Sequence, residues 1–157
     1  YAKKGESVQR AAQREASAVR SGVGLFDASS LGKIEVTGRD AAKFLDRFYV
    51  NSVAKLEEGR VRYGLMLNEN GVILDDGTVA CLGREHYLVT TTSGAAARVA
   101  AWLEEWRQCE WPDLEVFVTP VTTQWATYAI AGPRARQLLA RFRTDIAFDW
   151  RSMPHMS

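Results

Sequence analysis

The sequence has few of the residues that build metal sites and disulfide frameworks. It contains two cysteines, Cys81 and Cys109, and two histidines, His86 and His155. No two of these residues are spaced like the ligand pairs of a structural zinc site, so we expect no metal centre. Two lone cysteines in apolar surroundings favour free, buried thiols in a reducing compartment over a disulfide.

The chain also lacks an excess of charge and lacks long apolar runs. Its 20 Lys and Arg residues balance 19 Asp and Glu residues, which leaves a formal net charge of +1. This balance gives no electrostatic attraction for a polyanion and argues against nucleic acid as a partner. No apolar stretch approaches the roughly 20 residues of a membrane span, and no signal peptide opens the chain. We therefore expect a cytoplasmic protein without a membrane segment.

What the sequence does contain indicates a folded chain. Hydrophobic residues make up 46% and charged residues 25% of it, as in ordinary globular domains. A chain of this length can bury roughly two-thirds of the surface that its unfolded form exposes, which is enough for a core. Because the sequence starts with Tyr1 instead of Met and stops without a closing helix or strand, we expect a fragment of a longer chain.

Apolar periodicity predicts four helices and six strands. The turn signal Asn70-Gly71 between two apolar runs predicts a hairpin, and Ser7 and Gly22 are suited to begin and end the first helix. The predicted helices are Glu6–Ser21, Asp40–Tyr49, Gly94–Gln108 and Arg134–Phe142, and the predicted strands are Lys33–Thr37, Arg62–Leu67, Gly71–Leu82, Tyr87–Thr92, Leu114–Val121 and Trp125–Ala131.

A weak internal repeat runs through this pattern. The segment from Ile34 to Gly38 and the segment from Tyr128 to Gly132 each read as a strand followed by glycine. A helix with the same apolar spacing follows each glycine, and the two segments lie 94 positions apart, as Gly38 and Gly132 do. Two βα units with intervening strands predict an α+β fold, with helices packed on a largely antiparallel sheet. No Gly-rich phosphate loop follows a strand, so a Rossmann or P-loop fold lacks its fingerprint.

Two adjacent carboxylates, Asp75 and Asp76, interrupt the second strand of the predicted hairpin. One interpretation is that they lie at a sheet edge or bulge, where charge discourages pairing between edges. The other uses the period of a strand: successive side chains point to opposite faces, so one aspartate can be solvated while its neighbour enters a cavity. A ligand with N–H donors would offset the cost of burying that carboxylate. Tyr63 in the partner strand can add an aromatic face or a hydroxyl to the same cavity.

Several recognisable segments follow one another along nearly the whole chain. In order they are GLFDASSLGKI from Gly24, Val36-Thr37-Gly38, YGLMLNENG from Tyr63 with Asp75-Asp76, and the later segments HYLVTTTSGAAARV, EWPDLEVF and WATYAIAGP. Together they resemble the folate-binding aminomethyltransferase family, whose type member is the glycine cleavage T-protein. Within this family, the segments are most similar to the C-terminal region of sarcosine oxidase α subunits.

The resemblance implies that residues 1–157 are the N-terminal part of a folate-binding aminomethyltransferase-like domain. It implies tetrahydrofolate as the cofactor in a central cavity, with Asp76 as the catalytic carboxylate beside the reacting nitrogen and Tyr63 lining the pocket. Leu31 and Thr91 occupy two further positions that the family uses beside the folate ring, although plain packing explains both equally well. Asp75 is expected to be the structural neighbour of Asp76.

The resemblance also implies a reaction and a complex. In it, the imine of oxidised sarcosine passes its one-carbon unit to tetrahydrofolate, which gives 5,10-methylenetetrahydrofolate and glycine. FAD, FMN and NAD are expected elsewhere in the complex, with beta, gamma and delta subunits as partners. The alternative is a non-catalytic folate-binding or subunit-contact module of the same fold. The family's Gly-Glu-x-x-(Tyr/Phe)-Glu segment does not occur in this chain, so we expect the isolated fragment to be inactive.

Overall fold

The computed structural model describes residues 2–157. Within them the chain forms four α-helices and seven β-strands, and every strand pair is antiparallel. The predicted α+β class is therefore confirmed. In chain order the elements are α1 Val8–Ser21, β1 Gly24–Asp27, β2 Gly32–Thr37, α2 Ala41–Leu45, β3 Val61–Leu67, β4 Ile73–Gly83, β5 His86–Thr91, α3 Ala96–Cys109, β6 Phe117–Pro120, β7 Tyr128–Ala131 and α4 Ala135–Phe142.

The predicted strands Leu114–Val121 and Trp125–Ala131 begin three residues later than expected, at Phe117 and Tyr128. Two further local features differ from the sequence-based expectation. The predicted helix Asp40–Tyr49 is cut short at Leu45, because the carboxylate of Asp46 accepts hydrogen bonds from the N–H groups of Val53 and Ala54 and so holds the chain in a loop. Strand β1 was not predicted. It has four residues, three of them largely exposed, and its partner β7 lies about 100 residues later in the sequence, so no local pattern marks it.

The larger of two compact units comprises Ser29–Ala126 with Met156–Ser157. Its five strands have the order β3-β4-β5-β2-β6. One face of this sheet carries buried side chains that join those of α2 and α3 in a single apolar core. The core includes Ile34, Val36, Phe44, Leu45, Phe48, Met66, Val79, Val89, Val99 and Leu103.

The smaller unit comprises the residues up to Ala28 together with Thr127–His155. Strands β1 and β7 pair into a two-stranded sheet, and α1 and α4 belong to the same unit. Ser7 caps α1 as predicted, by accepting a hydrogen bond from the N–H of Arg10. The segment after α4 is organised by Arg136, whose guanidinium donates to the carbonyls of Phe148 and Met153 and lies 3.8 Å from the centre of the Trp150 ring.

The internal repeat is confirmed at the level of the backbone. Gly38 and Gly132 both have φ of 118°, a conformation that favours glycine because it has no side chain to clash. In one copy the N–H of Asp40 donates to the carbonyl of Glu115, and in the other the N–H of Arg134 donates to the carbonyl of Gly22. Each strand–glycine–helix segment is thus fixed by the same kind of hydrogen bond to the residues before a partner strand.

Both cysteines are free thiols. Cys81 is buried as expected, but Cys109 is exposed, because it is the last residue of α3 and lies where the helix leaves the core. Among the described residues, no helix combines the length and the apolar character needed to cross a membrane.

Candidate functional site

The two adjacent carboxylates of β4 point to opposite faces of the five-stranded sheet. Asp75 is 6% exposed and lies opposite Met66, which is fully buried. Asp76 is half-buried and lies opposite Leu65 on the other face, which we call the open face. The period of a strand therefore separates the pair as expected, but the more deeply buried carboxylate is Asp75.

Asp75 has a structural partner that explains its burial. Its Oδ2 accepts a hydrogen bond of 3.0 Å from the backbone N–H of Thr92, just after β5. This bond joins the β3–β4 hairpin to the end of β5 and offsets part of the cost of removing the carboxylate from water. The expectation that Asp75 is the structural member of the pair agrees with this geometry.

Asp76 forms a hydrogen-bonded pair with Tyr63 on the open face. The Tyr63 hydroxyl donates to Asp76 Oδ2 over 2.6 Å, a length typical of a bond to a charged oxygen. This bond raises the pKa of Tyr63, and desolvation and the charge of Asp76 act in the same direction. The hydroxyl therefore keeps its proton, and Asp76 Oδ1 has no hydrogen bond within the described chain, so it can accept one from a ligand.

A row of polar side chains extends from this pair across the open face. Tyr63 lies opposite Thr78 on β4, and the Thr78 hydroxyl is 2.8 Å from the hydroxyl of Thr90 on β5. Thr90 in turn lies opposite Lys33 on β2. The row crosses four strands, or about 14 Å at the usual strand spacing. A ligand lying along it would meet the Asp76 carboxylate at one end and the Lys33 strand at the other.

The other two predicted contact residues lie in different surroundings. Leu31 is 38% exposed and immediately precedes β2, in a segment whose carbonyls of Ser29 and Leu31 accept hydrogen bonds from Lys33 Nζ. Thr91 is buried, and its hydroxyl donates to the carbonyl of Thr92. Since Thr91 neighbours Thr90 on β5, its side chain points to the buried face. The structure does not bring the Thr91 side chain together with Tyr63 and Asp76.

Sequence reasoning missed Lys33, Thr78 and Thr90, although part of the signal was present. Counting back from the Asn70-Gly71 turn signal places Tyr63 opposite Thr78, which is the register observed. The structure reaches this register through a turn in which the Gly71 N–H donates to the Asn68 carbonyl, followed by a β-bulge between Met66 and Leu67. The position of Lys33 had no such signal. Which residue lies beside Lys33 on β5 depends on the order of the strands in the sheet. The burial of Lys33 depends on the Ser29–Leu31 segment, which covers it.

The acidic, histidine and cysteine side chains do not gather elsewhere into a metal site. Within residues 2–157 no group of three or more His, Cys, Asp or Glu residues is arranged to hold a metal ion. The open face itself offers a carboxylate paired with a neutral tyrosine beside hydroxyl groups.

Comparisons with known proteins agree on one family. The family model described as the GCVT N-terminal domain matches residues 1–157. The sarcosine oxidase subunit alpha of Corynebacterium sp. (strain U-96) is 49% identical over 146 residues, which cover 93% of this chain and 15% of that protein. The aminomethyltransferase of Chloroherpeton thalassium (strain ATCC 35110 / GB-78) is 35% identical over 135 residues, covering 86% of this chain and 36% of that protein.

A solved structure gives the same answer for the fold. The crystal structure of glycine cleavage system aminomethyltransferase T from Bartonella henselae matches with a TM-score of 0.74 and 30% identity, over 82% of this chain and 34% of that chain. The chain thus spans about a third or less of the length of the relatives it matches.

Proposed function

Because the chain belongs to the GCVT N-terminal domain family, we propose that it is the folate-binding domain of a sarcosine oxidase α subunit. The proposal rests on its similarity to sarcosine oxidase α subunits along nearly its whole length. The observation that carries the chemistry is the Asp76–Tyr63 pair on the open face, with one carboxylate oxygen unoccupied by the chain's own donors.

The proposed reaction transfers one carbon. Oxidation of sarcosine elsewhere in the complex produces an imine, and bound tetrahydrofolate supplies the nucleophilic amine that takes its methylene carbon, giving 5,10-methylenetetrahydrofolate and free glycine. The carbon–nitrogen bond to glycine breaks as the bonds to the acceptor form, so no external oxidant is needed at this step. The main contribution of a binding domain to this step is to hold the two reactants together.

The residues of the open face suit this task. The Asp76 carboxylate can accept a ligand N–H at Oδ1, stabilise positive charge on nitrogen and take up a proton that the nitrogen loses. The Tyr63 hydroxyl holds Oδ2 in place, which fixes the direction of Oδ1. Leu31 would contribute an apolar contact to the ring system. The proposed role of Thr91 is limited to its main chain, since its side chain is turned to the buried face.

The remaining members of the complex are part of the same proposal. FAD, FMN and NAD would bind in other parts of the enzyme, and the beta, gamma and delta subunits would assemble around the α subunit in the cytoplasm. Nothing in the open face resembles a dinucleotide-binding loop, in keeping with that division of labour.

One observation favours a second candidate, a subunit-contact module. The smaller unit leaves several large apolar side chains in solvent, namely Leu25, Phe26, Tyr128, Phe142 and Trp150. Exposed apolar surface on this scale is typical of an interaction site. The two candidates are compatible, because they use different units of the chain.

The test of the enzymatic proposal is Asp76→Asn in the assembled enzyme, which keeps the shape of the side chain and removes its charge. Sarcosine oxidation is followed by oxygen uptake, and formaldehyde and 5,10-methylenetetrahydrofolate are measured separately in the presence of tetrahydrofolate. We expect methylene transfer to fall by about 100-fold and formaldehyde to rise in compensation. Glu69→Gln, an exposed carboxylate of the same hairpin, is the matched control and should behave as the wild type.

Two results would count against the assignment. Equal loss of oxidation and methylene transfer would mean that Asp76 does not act at a separate folate step. Unchanged transfer in Asp76→Asn, with wild-type enzyme active, would remove Asp76 from the mechanism. Calorimetric titration of the 157-residue chain with tetrahydrofolate asks in addition whether the open face binds folate without the rest of the enzyme.

A further inference from the structure

We propose that the buried amino group of Lys33 positions the Ser29–Leu31 segment, and that Lys33 thereby sets the affinity of the open face for folate through Leu31. Lys33 is a positioning residue in this proposal, since it acts through another side chain. The part that concerns folate rests on the proposed function, whereas the part that concerns the segment does not.

The starting observation is the burial of a lysine. Lys33 is 1% exposed and is among the largest fully buried side chains of the chain, although lysine is almost never fully buried without a partner. It forms no ion pair within residues 2–157. Its Nζ instead donates to the carbonyl of Ser29 over 2.9 Å and to the carbonyl of Leu31 over 2.8 Å.

The lysine backbone is held rigidly by the sheet. Strand β2 has β5 on one side and β6 on the other, so it cannot shift without disturbing both neighbours. The Lys33 N–H also donates to the Thr122 hydroxyl over 3.0 Å, and its carbonyl accepts from the N–H of Val121 over 2.8 Å. Because the backbone is held in this way and the side chain is buried, the amino group has little freedom to move, and the segment before β2 is oriented relative to it.

Two bonds to one nitrogen determine how the segment lies. The peptides after Ser29 and Leu31 both turn their oxygens inward to Nζ, and Ser30 is tied by its hydroxyl to that of Ser93 at 3.3 Å. With its carbonyl directed inward, Leu31 keeps its side chain partly in solvent at the border of the open face.

Core packing alone would not select lysine here. A buried ammonium costs desolvation, and an apolar side chain of similar length would fill the same space without that cost. What lysine adds is a pair of charge-assisted hydrogen bonds to two carbonyls of one short segment. It also begins the polar row that leads through Thr90 and Thr78 to Tyr63. Its position therefore joins the Leu31 segment to the site of the carboxylate.

The experiment compares Lys33→Met, Leu31→Ala and the double variant in the assembled enzyme, with Lys33→Arg as the variant that retains the charge and the donors. The first readout is the KM for tetrahydrofolate in methylene transfer. We expect each single variant to raise KM about tenfold while kcat stays within about twofold, and the double variant to raise it no further, since the two residues act through one contact. Lys33→Arg should restore part of the affinity.

The second readout compares crystal structures of the wild type and Lys33→Met and does not need folate. In Lys33→Met the B-factors of residues 29–31 should rise clearly above those of the wild type, with the B-factors of β5 unchanged. If the wild type shows no folate-dependent transfer, the proposed function fails while this structural result still judges the role of Lys33. Unchanged B-factors and carbonyl directions at residues 29–31, additive KM effects, or raised B-factors throughout β5 would each overturn the proposal.

Discussion

The two copies of the strand–glycine–helix repeat have the same backbone and opposite exposures. Thr37 lies opposite Phe117 in the larger unit, and its repeat counterpart Ala131 lies opposite Gly24 in the smaller one. The correspondence continues over all four residue pairs of each ladder. Yet Phe48 is 5% exposed, whereas Phe142, 94 positions later, is 75% exposed.

The difference in exposure comes from the strands that each unit contains besides the repeat. Helix α3 and strand β6 correspond to α1 and β1, and both helices have 14 residues. Strands β3, β4 and β5 have no counterpart among the described residues of the smaller unit. In the larger unit these strands extend the sheet beneath α2 and bury its apolar side chains. The same local pattern of strand, glycine and apolar spacing therefore builds the same local geometry, while burial depends on neighbours supplied from elsewhere.

The largest expected effect is on the buried phenylalanine. Phe48 packs edge to face against Phe44, Trp102 and Trp111, with ring centres 4.8, 4.8 and 5.4 Å away. We expect Phe48→Ala to lower the free energy of unfolding by about 3–5 kcal/mol. Phe142→Ala should change it by no more than about 0.5 kcal/mol. Urea titrations followed by tryptophan fluorescence and circular dichroism compare the two, and equal losses would contradict the contrast.

The glycines should show the opposite behaviour, namely equal sensitivity. A Cβ at Gly38 would lie 2.2 Å from the Glu115 carbonyl oxygen, and one at Gly132 would lie 2.5 Å from that of Gly22. With φ of 118° at both, each substitution to alanine should cost about 1–3 kcal/mol. Gly59→Ala is the control, because its φ is also positive but its Cβ would meet nothing within 4 Å.

Fluorescence distinguishes the two glycine variants. Trp150 is the tryptophan of the smaller unit, and the other four belong to the larger one. The signal of Trp150 is obtained as the difference between chains with and without Trp150→Phe, because all five tryptophans emit together. We expect Gly132→Ala to move the unfolding transition reported by Trp150 and Gly38→Ala to move that of the others. If Gly132→Ala left the unfolding transition unchanged, the glycine conformation at Gly132 would not contribute to the stability of the smaller unit.

The loop after α2 should make stability dependent on pH. The N–H of Ala54 holds the pKa of Asp46 below its usual value, and the Ser52 hydroxyl and the Val53 N–H act in the same direction. The stabilisation is therefore present above the unfolded pKa of about 4 and is lost as pH falls through the lower folded value. We expect Asp46→Ala to cost about 1–2 kcal/mol at pH 7.

The corresponding comparison in the smaller unit uses Asp149. Its carboxylate accepts from the Ser152 hydroxyl and the N–H of Arg151, and these bonds also lower its pKa. Because Asp149 is exposed, Asp149→Ala should cost less than Asp46→Ala. Urea titrations from pH 7 to pH 3 measure both, and a gap between wild type and Asp46→Ala that did not shrink toward acid would contradict the assignment.

The smallest effect concerns the starts of the two equivalent helices. Ser7 caps α1 with a hydrogen bond to the Arg10 N–H, whereas α3 follows a 3-10 turn and has no side-chain cap. We expect Ser7→Ala to cost about 0.5–1 kcal/mol. Ser17→Ala, inside the same helix, should be neutral or slightly stabilising, since alanine is the better helix former. Thermal unfolding followed by circular dichroism separates the two.

Much of the fold could be predicted from local patterns. Helix α3 and the β3–β4 hairpin follow from apolar spacing and from the turn at Asn70-Gly71, and the repeat was readable from Gly38 and Gly132. Strand β1 could not be found in this way, because its pairing with β7 is determined by residues far away in the sequence. The early end of α2 depends on the reach of the Asp46 side chain to a later loop.

The candidate site was predictable to a similar extent. That Asp75 and Asp76 face opposite sides follows from the period of a strand, but which face is covered does not. The packing of α2 and α3 on one face buries Asp75 and leaves Asp76 beside Tyr63. The partnership of Lys33 with two carbonyls had no sequence signal at all, since an alternating strand with lysine normally places it in solvent.

The sequence by itself determined the local geometry of this protein: the turns, the glycine positions, the amphipathic helices and the alternation along each strand. These depend on interactions between residues a few positions apart, so they are the same in both copies of the repeat. Only the tertiary structure decided which of these equivalent surfaces is buried, which carboxylate lies on the open face and where a buried lysine finds partners. Burial is a property of elements brought together from distant parts of the chain, and no local pattern contains it.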